Sequence, residues 1–407
     1  KMERESRPAT TSRLLREATM TRVRLMDTPA DYERLGINPD VVERWEDQRR
    51  DDGRKGVWEW WYFDTMLDDG ASVVVQFFTK SGASSFLNGD HPRVWIKVTE
   101  PDGTVYDEKV SPNPKDSHYG GGRCDVRIGK HTFRGDLQEY DIHVERTNGV
   151  GADLHLSSRS KPFRPGSSYF GFGDDDEDYF TWLCVVPKGE VTGTVTTGGV
   201  IREVHGTGYH DHQWGNSNFQ LLFNHWTWAR QAYDDYSILV FDFATAKKYG
   251  YKRIPVCFIQ DADGNLVFSN THDVTYEVLA EMTDPMSGKP YPKKSRYTFD
   301  RDDVQVVYTL TEETIIESRD MLVLIPQTLE KKLGKAVGGA LGKAAAAVIG
   351  SVLGRQGIRP SYTRFTGTGE LEITQGTETV SRSGDLIYEF MYPAPTYRVE
   401  ASTALRR

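Results

Sequence analysis

Two short stretches of this sequence carry most of the side chains able to do chemistry. The first is Trp58-Glu59-Trp60-Trp61-Tyr62-Phe63-Asp64. Read as a strand, it puts Trp58, Trp60, Tyr62 and Asp64 on one face and Glu59, Trp61 and Phe63 on the other. A carboxyl group among indoles loses its hydration, which raises its pKa and keeps it protonated near neutrality. Glu59 is therefore a candidate general acid. The alternative is a structural carboxylate that accepts hydrogen bonds from a backbone turn or an arginine, and the residues alone balance the two. The second stretch is Gly206-Thr207-Gly208-Tyr209-His210-Asp211-His212-Gln213-Trp214-Gly215-Asn216. Its glycines predict sharp bends or close backbone approaches around a polar centre. Extended backbone places Tyr209, Asp211 and Gln213 on one face and His210, His212 and Trp214 on the other, unless a bulge brings them together.

His210 and His212 have the spacing of a metal pair. Zinc would need a third ligand, with His205 and His225 the nearest candidates. A His-x-His pair alone is weak evidence, so a metal-free protein is expected, with a zinc hydrolase as one rival. Another reading of the same residues is a polar network pinning a domain junction. Trp226 and Trp228, two residues apart, share a strand face. There is no Gly-rich phosphate loop, no dinucleotide fingerprint and no Gly-x-Ser-x-Gly elbow, so neither a nucleotide cofactor nor serine-hydrolase chemistry is expected. The acidic run Asp174-Asp175-Asp176-Glu177-Asp178 could hold a hard cation, but it lacks the ligand spacing of a calcium loop and reads better as a solvated loop.

The elements that must position these residues are short and mostly extended. Runs such as Val73–Phe78, Arg93–Val98, Tyr140–Glu145, Tyr236–Phe243, Val256–Ile259 and Asp303–Tyr308 read as strands. Pro101-Asp102-Gly103 and Asp261-Ala262-Asp263-Gly264-Asn265 read as turns between them. Closely spaced strands with few helical periods predict a mainly β chain of antiparallel sandwiches or barrels. Residues 1–54 read as an N-terminal arm with a short helix near Pro29–Leu35. One β domain follows over 55–220 and another over 221–407. A segment over 329–357 breaks the pattern: Gly334, Gly338, Gly342, Ala346, Gly350 and Gly354 recur every fourth residue, with Lys331, Lys335, Lys343 and Arg355 on another stripe. It is expected to be helical, and 331–355 serves either as an insertion packed on the β domain or as a lid touching a membrane surface.

Composition narrows the function classes. The 407 residues carry a formal net charge of -9, which repels polyanions, so no nucleic-acid partner is expected. Aromatic residues make up 12%, enough for aromatic-lined cores or an apolar pocket. The cysteines, Cys124, Cys184 and Cys257, form no zinc or disulfide spacing and suit a reducing compartment. Residues 1–50 lack the apolar run of an export signal, and a cytoplasmic location is expected. No apolar run reaches the roughly 18 residues of a membrane span.

Together, Trp58–Asp64 and Gly208-Tyr209-His210-Asp211-His212-Gln213-Trp214-Gly215 resemble the lipocalin-like superfamily of carotenoid hydratase (hydroxyneurosporene synthase), the AttH-like proteins, kievitone hydratase and the fungal Diels–Alderases. The second stretch is similar to that family's Tyr-x-Asp-His-x-Trp-Gly motif, with Gln213 where several members have Asn. The resemblance implies two lipocalin-like β domains, a sandwich then a barrel, with a ligand pocket between them and no cofactor. It implies an enzyme that hydrates an isolated alkene or folds a polyene for cyclisation, with Asp211 as the proton donor of a hydratase.

The resulting expectation is an enzyme acting on an apolar isoprenoid or polyene. Asp211, or Glu59 in reserve, protonates a double bond, and His210 or His212 positions water. Trp61, Tyr62, Tyr209, Trp214, Trp226 and Trp228 wall the pocket and stabilise the cation. Cationic histidines beside Asp211 would lower its pKa, so this reading requires neutral imidazoles or ones that hold a single carboxylate oxygen. The rivals are a pericyclic cyclase working by shape and a non-catalytic carrier of lipophilic ligands.

Overall fold

The alternating runs become antiparallel strands: Val73–Phe78 lies within Ser72–Lys80, Tyr140–Glu145 within Glu139–Thr147, and Tyr236–Phe243 within Tyr236–Thr245. Both expected turns form, with left-handed Gly103 (φ 84°) and Gly264 (φ 73°) closing hydrogen bonds to Glu100 and Asp261. The computed structural model describes residues 22–81, 84–285, 287–320, 360–393 and 403–405. The expected helical insertion, 329–357, lies outside them.

The molecule is mainly β, built on two sheets that each curl into a half-barrel. Among the described residues the first sheet has thirteen strands and the second ten. The Val200–Gly215 strand lies in the middle of the first sheet, between Trp58–Leu67 and Asp178–Thr197. The second sheet begins at Phe223, directly after a short helix, Phe219–Leu222.

Residues 22–57, most of them within the expected arm, are tied into the first sheet. Thr28 caps the helix Pro29–Leu35 in a reciprocal capping box with Asp31, and Gly36 ends it at φ 66°. Val23–Leu25 pairs with Tyr169–Phe172. The turn Arg44–Asp47 buries two carboxylates, Glu46 and Asp47, the first of them 2.9 Å from Arg164 Nε. In the acidic run, Asp176 binds Arg24 at 2.5 Å, and the same arginine reaches Asp31 at 2.6 Å. Asp176 thus serves as an ion-pair anchor.

Burial divides the interior into three. One apolar core fills the first half-barrel, with Trp61, Phe63, Phe77, Phe133 and Trp214. Another fills the second, around Tyr297, Tyr308, Phe365 and Tyr388. The third lies between the sheets and is strongly aromatic, with Trp58, Phe180, Trp182, Tyr209, Trp228, Phe241 and Phe243. A strand with both faces buried this way must send alternate side chains into different compartments. That alternation decides where each candidate residue goes.

Candidate active site

The two motif strands are neighbours in register, with Trp61 opposite His212, Tyr62 opposite Asp211 and Glu59 opposite Trp214. Regular pairing runs through the polar centre between these strands, so no bulge there reverses a face. Glu59, Trp61, His210, His212 and Trp214 point into the first core, while Trp58, Trp60, Tyr62, Tyr209 and Asp211 point toward the second sheet.

Inside the first core the histidines form a closed network with a residue the sequence reading missed, Asp47. His210 Nε2 lies 3.2 Å from Asp47 Oδ2, and His212 Nδ1 lies 3.2 Å from Asp47 Oδ1. Tyr140 donates to Asp47 at 2.6 Å. His212 Nε2 lies 2.8 Å from Glu59 Oε1, and the ring is stacked on Trp61 with centroids 4.5 Å apart. Glu59 also accepts the backbone N–H groups of Arg50, at 2.7 Å, and Asp51, at 3.0 Å. Burial opposes charge on Asp47, but His210 and His212 outweigh it and hold the carboxyl below its usual range. Burial likewise opposes the His212 cation, and its contacts with Asp47 and Glu59 outweigh it, so this pKa rises. Glu59 is pushed up by burial. These groups face one another in a site with no exposed surface, with Asp47 Oδ1 and His212 Nδ1 meeting as an ion pair without hydrogen-bond geometry.

Several expectations change accordingly. His210 and His212 do not stand beside Asp211 to position water, because strand alternation sends them to the opposite face. Trp61 and Trp214 flank His212 within the first core and do not wall an interface pocket. Glu59 has the geometry of the structural alternative, a carboxyl held by a backbone turn. His205 is exposed, and His225 lies in the second sheet against Phe390 and Tyr392, so neither completes a ligand set with the histidine pair. Among the described residues no group of three or more His, Cys, Asp or Glu is arranged to hold a metal ion.

Asp211 occupies the aromatic layer between the sheets. Its Oδ2 accepts Tyr209 Oη–H at 2.8 Å and Trp182 Nε1–H at 3.1 Å, while Gln213 Nε2 lies 3.2 Å from Oδ1. Burial pushes its carboxyl up to about 6, against the pull of those donors. Trp228 of the second sheet packs edge-on to Tyr209 at 5.0 Å, and Phe241 packs on Trp182 at 5.2 Å. Tyr62 borders the same layer, and Trp226 closes it further out against Phe219 and Phe223. A small cavity of about 30 Å³ lies further along the strands, lined by Gly208, Arg230, Leu239 and Phe258 among others, and Asp211 is not part of its lining.

Beside Asp211 runs a polar seam that the sequence reading did not find. Asp64, fully buried, pairs with Arg230 and lies 3.4 Å from Arg364, and Tyr62 Oη–H donates to it at 3.0 Å. Glu389 accepts Tyr362 Oη–H at 2.7 Å and lies 3.5 Å from Arg364 Nε; burial pushes its carboxyl up to about 7. Lys97 and Glu317 continue the seam at 2.5 Å. Residues 64, 230, 364 and 389 share no local motif, and only the alternation of Trp58–Asp64 hinted at one of them.

The sequence pattern of the AttH-like family matches residues 50–314. Similar solved structures include one from Nitrosomonas europaea that carries the AttH name, 14% identical over 88% of this chain and 99% of that one, with a TM-score of 0.57. CghA, solved with Sch210972, is 12% identical over 88% of this chain and 98% of its own, with a TM-score of 0.54. Kievitone hydratase from Nectria haematococca is 13% identical over 88% and 94% of the two chains, with a TM-score of 0.49. At such identities the likeness is one of fold. No curated protein sequence matches. The match over residues 50–314, well over half the chain, places this protein in the AttH-like family.

Proposed function

We propose that this chain is an enzyme that protonates a carbon–carbon double bond of an apolar substrate held between the two sheets, with Asp211 as the acid. The observation that carries this reading is a buried carboxyl, pushed up to about 6, in a layer of aromatic rings between two sheets. Protonating an unactivated alkene needs a neutral carboxylic acid shielded from bulk water. Tyr209 and Trp182 both donate to Oδ2, whereas Oδ1 accepts from Gln213 Nε2 at 3.2 Å, so Oδ1, with the longer contact, is the oxygen that carries the proton. Transfer from Oδ1 to one alkene carbon leaves a carbocation on the other and a carboxylate on Asp211. The faces of Trp182, Tyr209 and Trp228 stabilise that cation.

Capture by water gives an alcohol, and the water's extra proton returns to the Asp211 carboxylate, which resets the acid without a histidine. Capture by a second double bond of the same molecule closes a ring, and a later proton loss to the carboxylate does the same. Asp211 and the rings around it are buried in mutual contact, so the facing aromatic rings must separate to admit a substrate. Asp211→Asn keeps the size and hydrogen bonds but removes the proton. With an acyclic isoprenoid polyene, followed by mass spectrometry for gain of water or for an isomer of unchanged mass, it is expected to lower turnover about 100-fold with little change in binding. Wild-type turnover by this variant would favour a shape-driven cyclase or a carrier.

A further inference from the structure

Three N–H groups facing the first sheet have no hydrogen-bond acceptor: Trp228 Nε1, Arg230 Nε and Arg364 Nε. All three atoms are buried, and the side chains of Trp228 and Arg364 are at least nine-tenths so. Register brings them together. Trp228 and Arg230 are two apart on one strand, Trp228 pairs with Glu389 on the next, and Glu389 pairs with Arg364 on the one after. Arg230 and Arg364 converge on the two oxygens of Asp64, and Trp228 packs against Tyr209, which donates to Asp211. A buried donor without an acceptor is costly, and three on one patch of a sheet face call for acceptor oxygens.

We propose that Trp228, Arg230 and Arg364 receive an oxygen-bearing end of the substrate, a carboxylate or an enolate, while its apolar part lies against Asp211. This rests on the reading of the interface as the active site. The charges agree with an anionic end. Asp64 offsets one of the two guanidinium groups, and Glu389, its carboxyl raised toward neutral pH by burial, offsets the other only in part. Arg364 Nε lies 3.5 Å from Glu389 Oε1 as an ion pair, without hydrogen-bond geometry, and so can turn to a better acceptor. A wholly hydrocarbon substrate would leave all three donors unmet.

The test compares two probes of equal carbon skeleton, all-trans-retinoic acid and its methyl-terminated hydrocarbon analogue, by quenching of protein fluorescence on the full chain. The acid is expected to bind at least 10-fold tighter. Trp228→Phe, which keeps an aromatic ring but removes the indole N–H with its five-membered ring, should cut that preference at least threefold, with the hydrocarbon probe measuring the effect of the lost ring area. Arg364→Gln, if folded by circular dichroism, should abolish it. Equal binding of the two probes to the wild type, as expected if water alone meets these donors, would overturn the inference and leave the active-site reading standing. A preference that survives in Trp228→Phe would place the acid elsewhere and overturn it too. Failure of both probes to bind would count against the interface as a substrate site and against this inference together.

Discussion

Asp211 was the first candidate for the acid in the sequence and Glu59 the reserve, and their surroundings separate them. Asp211 is held by side chains only, on a face that meets another sheet, whereas Glu59 is held by two backbone N–H groups and His212. A carboxyl with a folded pKa of about 6 costs the fold stability once the unfolded chain ionises. Below the unfolded value near 4 both states are protonated and the cost vanishes. As the pH climbs through about 6 it grows to about 2–3 kcal/mol. Asp211→Asn should therefore be more stable than wild type in urea unfolding at pH 7.5 and equal to it near pH 3.5, while losing activity. Wild-type kcat/KM should be flat at acidic pH and fall as pH rises through about 6, because only the protonated form donates. Glu59→Gln tests the opposite role. The amide places a donor against groups that already donate, so it should cost about 1–3 kcal/mol of stability yet leave turnover per folded molecule near wild type. Lost turnover with an unchanged melting temperature would restore Glu59 as the acid. Period-2 alternation made these faces legible in the sequence. Asp47 was not, because it lies in the turn Arg44–Asp47 ahead of the first motif, outside the alternation of either strand, and Glu389 and Arg364 were not, because they come from a distant part of the chain.

At the scale of strands, the glycines of the second motif act through close contact, as their placement suggested. A Cβ on Gly206 would sit 2.2 Å from the Met66 carbonyl oxygen, and one on Gly208 would meet Val191 Cγ2 at 2.5 Å. The Met66 contact is to backbone, which cannot swing away as a side chain can. Gly206→Ala should therefore shift the pairing of Val200–Gly215 with Trp58–Leu67 and destabilise the protein by about 1–3 kcal/mol. Thermal unfolding checks this, and a variant as stable as wild type would mean that the two strands do not lie this close. Strand existence was largely readable, since alternation and turn residues agree along most of the chain. Which core each strand face serves was not, because that depends on how a second sheet, formed by later parts of the chain, packs against it.

For the whole molecule, the question is what makes two half-barrels behave as one body. The aromatic layer supplies apolar contact, but aromatic surfaces slide over one another with little directional preference. The seam supplies direction. Asp64 belongs to the first sheet, and its partners Arg230 and Arg364 to the second, so this carboxylate lies on the joint between them. Removing it leaves two buried guanidinium groups facing each other, which breaking a buried pair prices at about 3–5 kcal/mol. That penalty falls on the joint, since Arg230 and Arg364 sit on strands whose own ladders are untouched. Asp64→Ala should consequently do more than lower the melting temperature. Calorimetry should show the single transition of the wild type divide in two, as each half-barrel unfolds on its own core. Asp64→Asn, which retains one acceptor oxygen, should fall between the two. If Asp64→Ala still melts in one transition at the wild-type temperature, the aromatic layer and the Lys97–Glu317 pair suffice to couple the sheets, and opening the layer for a substrate would not require the Asp64 cluster to break.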